Sequence, residues 1–292
     1  MVIDGRKGVV SEYREVPRIM ELCRKYSTDG LMILLPSSSG LSRGSHVDFV
    51  MEFYNPDGSG GMMCGNGGRC IVAFAHMLGL KPAAEDGTWH FLAPDGPHEA
   101  KILSGPQSVI PGHDRESRWT VRLKMIDVKG VTPMKNGFFL NTGTRHYVEF
   151  RNNVDSIDME KEAKPLRWDP AFQPEGTNVN FVERRQDGLH IRTYEKGVEG
   201  ETLACGTGIT ASAIAAYYAG RMPAEANAEY SDGQCRDRRP LAGHGTALCP
   251  SRLASAGIRL QARRGDILTV DFVPAGPAIF REIHLTGPAE FV

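Results

Sequence analysis

Two stretches of the chain, Cys64-Gly65-Asn66-Gly67 and Cys205-Gly206-Thr207-Gly208, share the pattern Cys-Gly-x-Gly, and each runs on into small apolar residues, CIVAFAHML and ITASAIAAYY. Glycine lets the backbone turn closely into a helix, so a fold can require it at such places. Folding alone gives no reason for a cysteine before both turns. A thiol at a helix N-terminus meets unpaired N–H groups and partial positive charge, which favour a thiolate and can also hold a carboxylate. Lowering a thiol pKa from about 8.5 by about 1.5 units takes roughly 2 kcal/mol, near the upper end of what a helix dipole supplies. Two such bases flanking one carboxylate suit proton removal from an α-carbon on one face and proton return on the other. That is racemisation or epimerisation.

Other readings of the thiols stand beside this one. Either motif alone also reads as a helix start with cysteine as a small buried hydrophobe. A zinc site is disfavoured, because Cys64 and Cys70, six apart on one helix, point in different directions. The C-x-x-C spacing of a redox pair is absent.

Something must hold the two motifs. Segments with strand-like β-branched and aromatic content cover 30–36, 46–54, 119–128, 138–150, 178–183, 189–195 and 266–272, so most regular structure is expected to be β. Residues 16–26 carry Ile19, Met20, Leu22, Cys23 and Tyr26 at helical spacing, which makes Cys23 core filler. The repeated motif predicts a duplicated α/β unit: two pseudo-twofold-related domains, each a mixed, largely antiparallel sheet around a central helix. The expected domains are 1–117, carrying Cys64, and 118–285, carrying Cys205; the final segment 286–292 could return to the first domain. The two helix starts would then face one interdomain cleft, where small ligands bind.

Composition narrows the partner. The 34 Lys and Arg nearly balance 35 Asp and Glu, which removes the footprint of a protein that grips nucleic acid or anionic lipid. No apolar run approaches a membrane span, and the first residues lack a signal-peptide core, so a cytoplasmic protein with a small-molecule substrate is expected. Six cysteines in 292 residues are too sparse for a disulfide scaffold.

The stretches YNPDGSGGMMCGNGGRC and YEKGVEGETLACGTG resemble the two signatures of the diaminopimelate epimerases, with GTNVNFVE and HLTGPAEFV in matching order. The likeness covers nearly the whole chain outside 223–256. CGNG favours this branch over the proline racemases, whose first motif resembles Cys-Gly-His. The resemblance implies conversion of LL-2,6-diaminopimelate to its meso form in lysine and peptidoglycan precursor synthesis, without organic cofactor or metal, by a homodimer. Carried over by residue, it implies that Cys64 and Cys205 are the acid/base thiols. Gly65, Asn66, Gly206 and Thr207 would offer backbone N–H groups to the reacting carboxylate. Asn55 and Asn178 match asparagines that hold ammonium and carboxylate groups, and Glu195 matches a glutamate that binds the reacting amino group. Turn and cap roles are the alternative for these polar residues.

Four departures bear on activity. Lys196 stands where the family carries arginine for the distal carboxylate, keeping the charge but losing the bidentate fork. TGTRH (142–146) replaces Gly-Asn-Pro-His, putting Thr144 at a binding asparagine's place; His146 is read as structural. These two keep open another amino-acid racemase of the superfamily; a silent ligand-binding homologue is the other alternative, for which the altered ends of the chain argue and against which intact Cys64 and Cys205 argue. Residues 223–256 read as a disordered insertion, longer than the roughly 12–15 residues usual for structureless connections, with Cys235 and Cys249 as incidental thiols. Finally, MVIDGR resembles the middle of the family's opening element, ordinarily preceded by a Gly-Asn-Asp turn that supplies a binding asparagine, so weakened activity or stability is expected.

Overall fold

The computed structural model describes residues 1–8, 10–37, 47–60, 65–106, 118–221 and 257–290. Cys64 and the segment 223–256 lie outside the described residues. The chain divides into two units, Met1–Lys124 with Gly287–Val292, and Met125–Thr286.

In the first unit the elements are β1 (Val2–Asp4), α1 (Val16–Tyr26), β2 (Leu31–Pro36), β3 (Phe49–Tyr54), α2 (Gly65–Met77), β4 (Thr88–Ala93), β5 (Gly96–Ser104) and β6 (Arg118–Lys124). The strands follow that order across the sheet. β1 lies parallel to β2 and β3 parallel to β4, while β2/β3, β4/β5 and β5/β6 are antiparallel. α2 packs on β2, β5 and β6 and buries Ile71, Val72, Ala73 and Ala75 completely. Its Ala-rich face lets the helix approach the sheet closely. α1 occupies the predicted range, with Pro17 preset in its first turn and Cys23 buried among Ile19 and Leu31.

The second unit contains β7 (Val131–Met134), β8 (Gly137–Asn141), β9 (Arg145–Phe150), α3 (Met159–Arg167), β10 (Asn178–Arg185), β11 (Gly188–Glu195), β12 (Gly200–Thr202), α4 (Gly206–Arg221), β13 (Ile258–Gln261), β14 (Ile267–Gly276) and β15 (Ile279–Glu290), whose last residues fall in the first unit. Its strand order is β15-β14-β13-β11-β10-β9-β8-β7, with β12 on β11. β9/β10 and β11/β13 are parallel, and β10/β11, β13/β14 and β14/β15 antiparallel. α4 touches β8, β9, β10, β11, β13 and β14, and residues from Ile209 to Ala215 are buried on every face of the helix. A helix apolar or small all round is what a sheet wrapped about it demands.

The two units repeat one connectivity. In each, a strand, a helix, a parallel strand, an antiparallel strand, a Gly-rich start to a central helix, and a further parallel strand succeed one another: β1-α1-β2-β3-α2-β4 and β9-α3-β10-β11-α4-β13. The sheet-around-helix architecture expected from the repeated motif is the observed one. The structure differs in detail at 138–150, read from sequence as one strand. Gly143, at φ +109, breaks it into β8 and β9, and the Thr142 N–H closes the turn on the Thr144 carbonyl at 3.1 Å.

Candidate active site

Cys205 immediately precedes α4, and its carbonyl accepts the helix's first bond, from the Ile209 N–H at 2.9 Å. Helix geometry leaves the N–H groups of Gly206, Thr207 and Gly208 without an acceptor inside the helix. The thiol is 6% exposed, so the partial charge at this helix end acts on it with little screening by water. Anionic groups, whether a thiolate or a bound carboxylate, are favoured there.

What surrounds the thiol follows from strand alternation. Successive side chains of a strand point to opposite faces, so Asn178 and Asn180 of β10 share one face while Val179 and Phe181 take the other, in a cluster with Tyr147, Met159 and Ala163. Register then aligns the polar set. Asn178 lies opposite His146 of β9, and Asn180 opposite Thr193 of β11. Gly208 allows α4 to start against them: a Cβ there would stand 2.5 Å from Asn180 Oδ1 and 3.3 Å from His146 Cε1.

The polar set is fully connected. Thr207 Oγ1 lies 3.4 Å from Cys205 Sγ, 2.9 Å from His146 Nε2 and 3.1 Å from Thr144 Oγ1. His146 Nε2 is also 2.9 Å from Thr144 Oγ1, and His146 Nδ1 is 3.1 Å from Asn180 Nδ2. Asn180 Nδ2 donates to the Tyr147 carbonyl at 3.0 Å, and its Oδ1 accepts from the Thr193 hydroxyl at 3.0 Å. Asn178 Nδ2 donates to the Arg145 carbonyl at 2.9 Å and to Thr144 Oγ1 at 3.2 Å. His146 is wholly buried, and that burial lowers its pKa to about 3, so the ring is neutral at every physiological pH.

The loop after β11 carries Glu195 and Lys196. The Lys196 N–H donates to Asn178 Oδ1 at 2.8 Å, tying the loop to β10. Glu199 holds the loop from below: its carboxylate accepts from the buried Arg167 guanidinium at 2.8 and 3.2 Å and from the Gly197 N–H at 3.1 Å. Glu195 ends its strand opposite Gly200, and its carbonyl accepts from the Glu199 N–H at 2.8 Å.

In the first unit, Gly65 and Asn66 open α2. Arg69, 5% exposed, folds back over them, donating to the Gly65 carbonyl at 3.2 Å, Asn66 Oδ1 at 3.0 Å and the Pro288 carbonyl at 3.3 Å. Asn55 sits in a turn, its N–H bonded to the Ser59 carbonyl at 2.7 Å and its Nδ2 to Ser59 Oγ at 3.0 Å. Cys64 precedes this helix in sequence.

The second unit thus gathers Thr144, Asn178, the Lys196 backbone, Cys205 and Thr207 around one helix start. Residue types alone did not single out Asn180, Thr193 or Arg69. The Asn-x-Asn alternation of β10 was the available signal for Asn180, and it needed the strand register to be read. Among the described residues, no three His, Cys, Asp or Glu side chains gather as a metal centre would need, and no helix is long and apolar enough to cross a membrane.

Comparison with known proteins agrees with this construction. The family model for diaminopimelate epimerase matches residues 138–236, the stretch that holds β9, β10, β11 and the start of α4. The diaminopimelate epimerase of Flavobacterium psychrophilum is 37% identical across 100% of this chain and 93% of its own length. That of Chlorobaculum tepidum is 32% identical across 100% of this chain and 94% of its own. A PhzF-family phenazine biosynthesis protein from Bacillus anthracis has the same fold, with a TM-score of 0.57 over 94% of this chain and 86% of that one at 11% identity. With likeness to named relatives running the full length and the second signature folded at a helix start, the chain belongs to the diaminopimelate epimerase family.

Proposed function

We propose that this protein is an isomerase that converts LL-2,6-diaminopimelate to meso-2,6-diaminopimelate by two-base proton transfer, with Cys64 and Cys205 as the acid and base. Full-length likeness to diaminopimelate epimerases carries the reading. The position of Cys205 supports it: the thiol stands directly before a helix whose first N–H groups have no acceptor within the helix, a place that favours an anion. In this reading the Gly206 and Thr207 N–H groups receive the reacting carboxylate and stabilise charge as the α-proton leaves. Gly65 and Asn66 do the same from the other helix. Asn55, Asn178 and Glu195 hold polar groups of the substrate, Thr144 contributes a hydroxyl, and Lys196 meets the distal carboxylate as a single charge. The chemistry is carried by side chains and backbone, with no cofactor assigned. We place the enzyme in the cytoplasm as a homodimer.

The test is turnover of LL-2,6-diaminopimelate by the wild type and by Cys64→Ala and Cys205→Ala. A positioned base contributes about 10²–10⁴-fold, so each variant is expected to lose at least that factor. Proline as substrate separates the reading from a proline racemase. Turnover of proline but not diaminopimelate, or near-normal activity in either variant, contradicts the proposal.

A further inference from the structure

The hydrogen bonds behind Cys205 run in one direction, which can be derived from groups whose roles are fixed. A backbone carbonyl only accepts, so the Asn180 amide bonded to the Tyr147 carbonyl at 3.0 Å must present its NH₂ there, and the Thr193 hydroxyl donates to its Oδ1. The second hydrogen of that NH₂ goes to His146 Nδ1 at 3.1 Å, which therefore carries no proton. In a neutral ring the proton is then on Nε2, which faces the Thr144 and Thr207 hydroxyl oxygens at 2.9 Å each. Asn178 is fixed in the same way. Its Oδ1 accepts from the Lys196 N–H and its Nδ2 donates to the Arg145 carbonyl, so its remaining hydrogen goes to Thr144 Oγ1.

Thr144 receives that hydrogen and passes its own to Thr207 Oγ1 at 3.1 Å. Thr207 Oγ1 has two lone pairs. One takes the Thr144 proton, and the other faces the His146 Nε2 proton, which Thr207 Oγ1 shares with Thr144 Oγ1 at the same 2.9 Å. The Thr207 hydroxyl hydrogen is left with Cys205 Sγ, 3.4 Å away, as its acceptor.

We propose that Asn180, His146, Asn178 and Thr144 are positioning residues that fill both acceptor sites of the Thr207 oxygen and so commit the Thr207 hydroxyl as a hydrogen-bond donor to the Cys205 thiolate. This rests on Cys205 acting as an acid/base thiol. It gives Thr207 a side-chain task besides the backbone one, and it makes Thr144 a relay: a hydroxyl takes one proton in and hands one on. Desolvation keeps His146 neutral, so the ring orients the hydroxyl without placing a competing charge beside the sulfur.

The experiment compares three variants that break the relay with two that keep it. Thr207→Val removes the hydroxyl at constant shape, His146→Asn removes the Nε2 donor, and Asn180→Asp puts an acceptor opposite Nδ1 and moves the ring proton there. Thr207→Ser keeps the hydroxyl, and His146→Gln keeps an N–H near the Nε2 position. Losing a donor to a charged group costs about 10- to 100-fold, so the first three should lose that much in kcat with KM within a few fold, and the two conservative changes should recover most of what Thr207→Val and His146→Asn lose. Two readouts need no substrate. Imidazole ¹H–¹⁵N spectra of the wild type should show His146 protonated on Nε2 and bare on Nδ1, exchanged in Asn180→Asp. The thiolate absorbance that Cys205→Ala removes should diminish in Thr207→Val. A wild-type ring protonated on Nδ1, or a folded Thr207→Val with unchanged kcat and thiolate absorbance, overturns the relay. A wild type with the expected tautomer and thiolate but no epimerisation overturns the functional reading instead.

Discussion

The starts of α2 and α4 hold the same place in the repeated connectivity, yet they are supported differently. In both, the fifth residue after the motif cysteine reaches back to the carbonyl of the glycine after it: Arg69 to Gly65 at 3.2 Å, Thr210 to Gly206 at 3.0 Å. Beyond that the two diverge. Asn66 is held from within its own helix, by the charged Arg69. Thr207 is held from the neighbouring strand β9, by a neutral imidazole and a hydroxyl. One backbone solution therefore serves with two kinds of side-chain support. A buried guanidinium supplies charge and several hydrogen bonds at once, whereas the β9–β10 network supplies direction without net charge.

The difference predicts unequal costs. Arg69→Met removes a buried charged donor shared by three oxygens and is expected to cost about 2–3 kcal/mol of stability. Thr210→Val removes one neutral bond to the equivalent carbonyl and should cost about 0.5–1.5 kcal/mol. Urea unfolding of the two variants measures both. Equal losses would mean that the two helix starts share one mode of support.

The neutral network also sets a pH window. His146 stays neutral in the fold down to about 3, while in the unfolded chain it protonates near 6.5. Between these values the unfolded state binds more protons, so this residue's contribution is present above about pH 6.5 and is lost as pH falls toward 3, by up to about 1.4 kcal/mol per pH unit. Between pH 6.5 and 5, the wild type should lose about 2 kcal/mol more than His146→Gln. Parallel losses would show that His146 is not desolvated in the way its burial implies.

Much of this was legible before the structure. The repeated Cys-Gly-x-Gly motif pointed to the duplicated unit, because an Ala-rich run after paired glycines fits only a helix packed closely on its surroundings. The strand-rich segments around 178–195 were read nearly to their ends, since β-branched and aromatic residues there pack on both faces. Other elements stayed hidden for identifiable reasons. α3 contains Pro165, which argues against helix in sequence. β4 and β5 are joined through Pro94 and Asp95, with Gly96 opening β5, a turn whose chemistry was not followed. The polar face of His146, Asn178, Asn180 and Thr193 depends on register between three strands, and no single segment carries that information. His146, read as structural, lies within hydrogen-bond distance of the Thr207 and Thr144 hydroxyls.

The central claim is that two distinct thiols move the proton. Its most direct test is to start from LL-2,6-diaminopimelate in deuterated water and follow label in product and recovered substrate at low conversion. Two bases on opposite faces predict meso product carrying one deuterium at the inverted α-carbon while remaining substrate stays unlabelled. Substrate and product labelled at equal rates from the outset would mean that one base serves both faces, and would contradict the account.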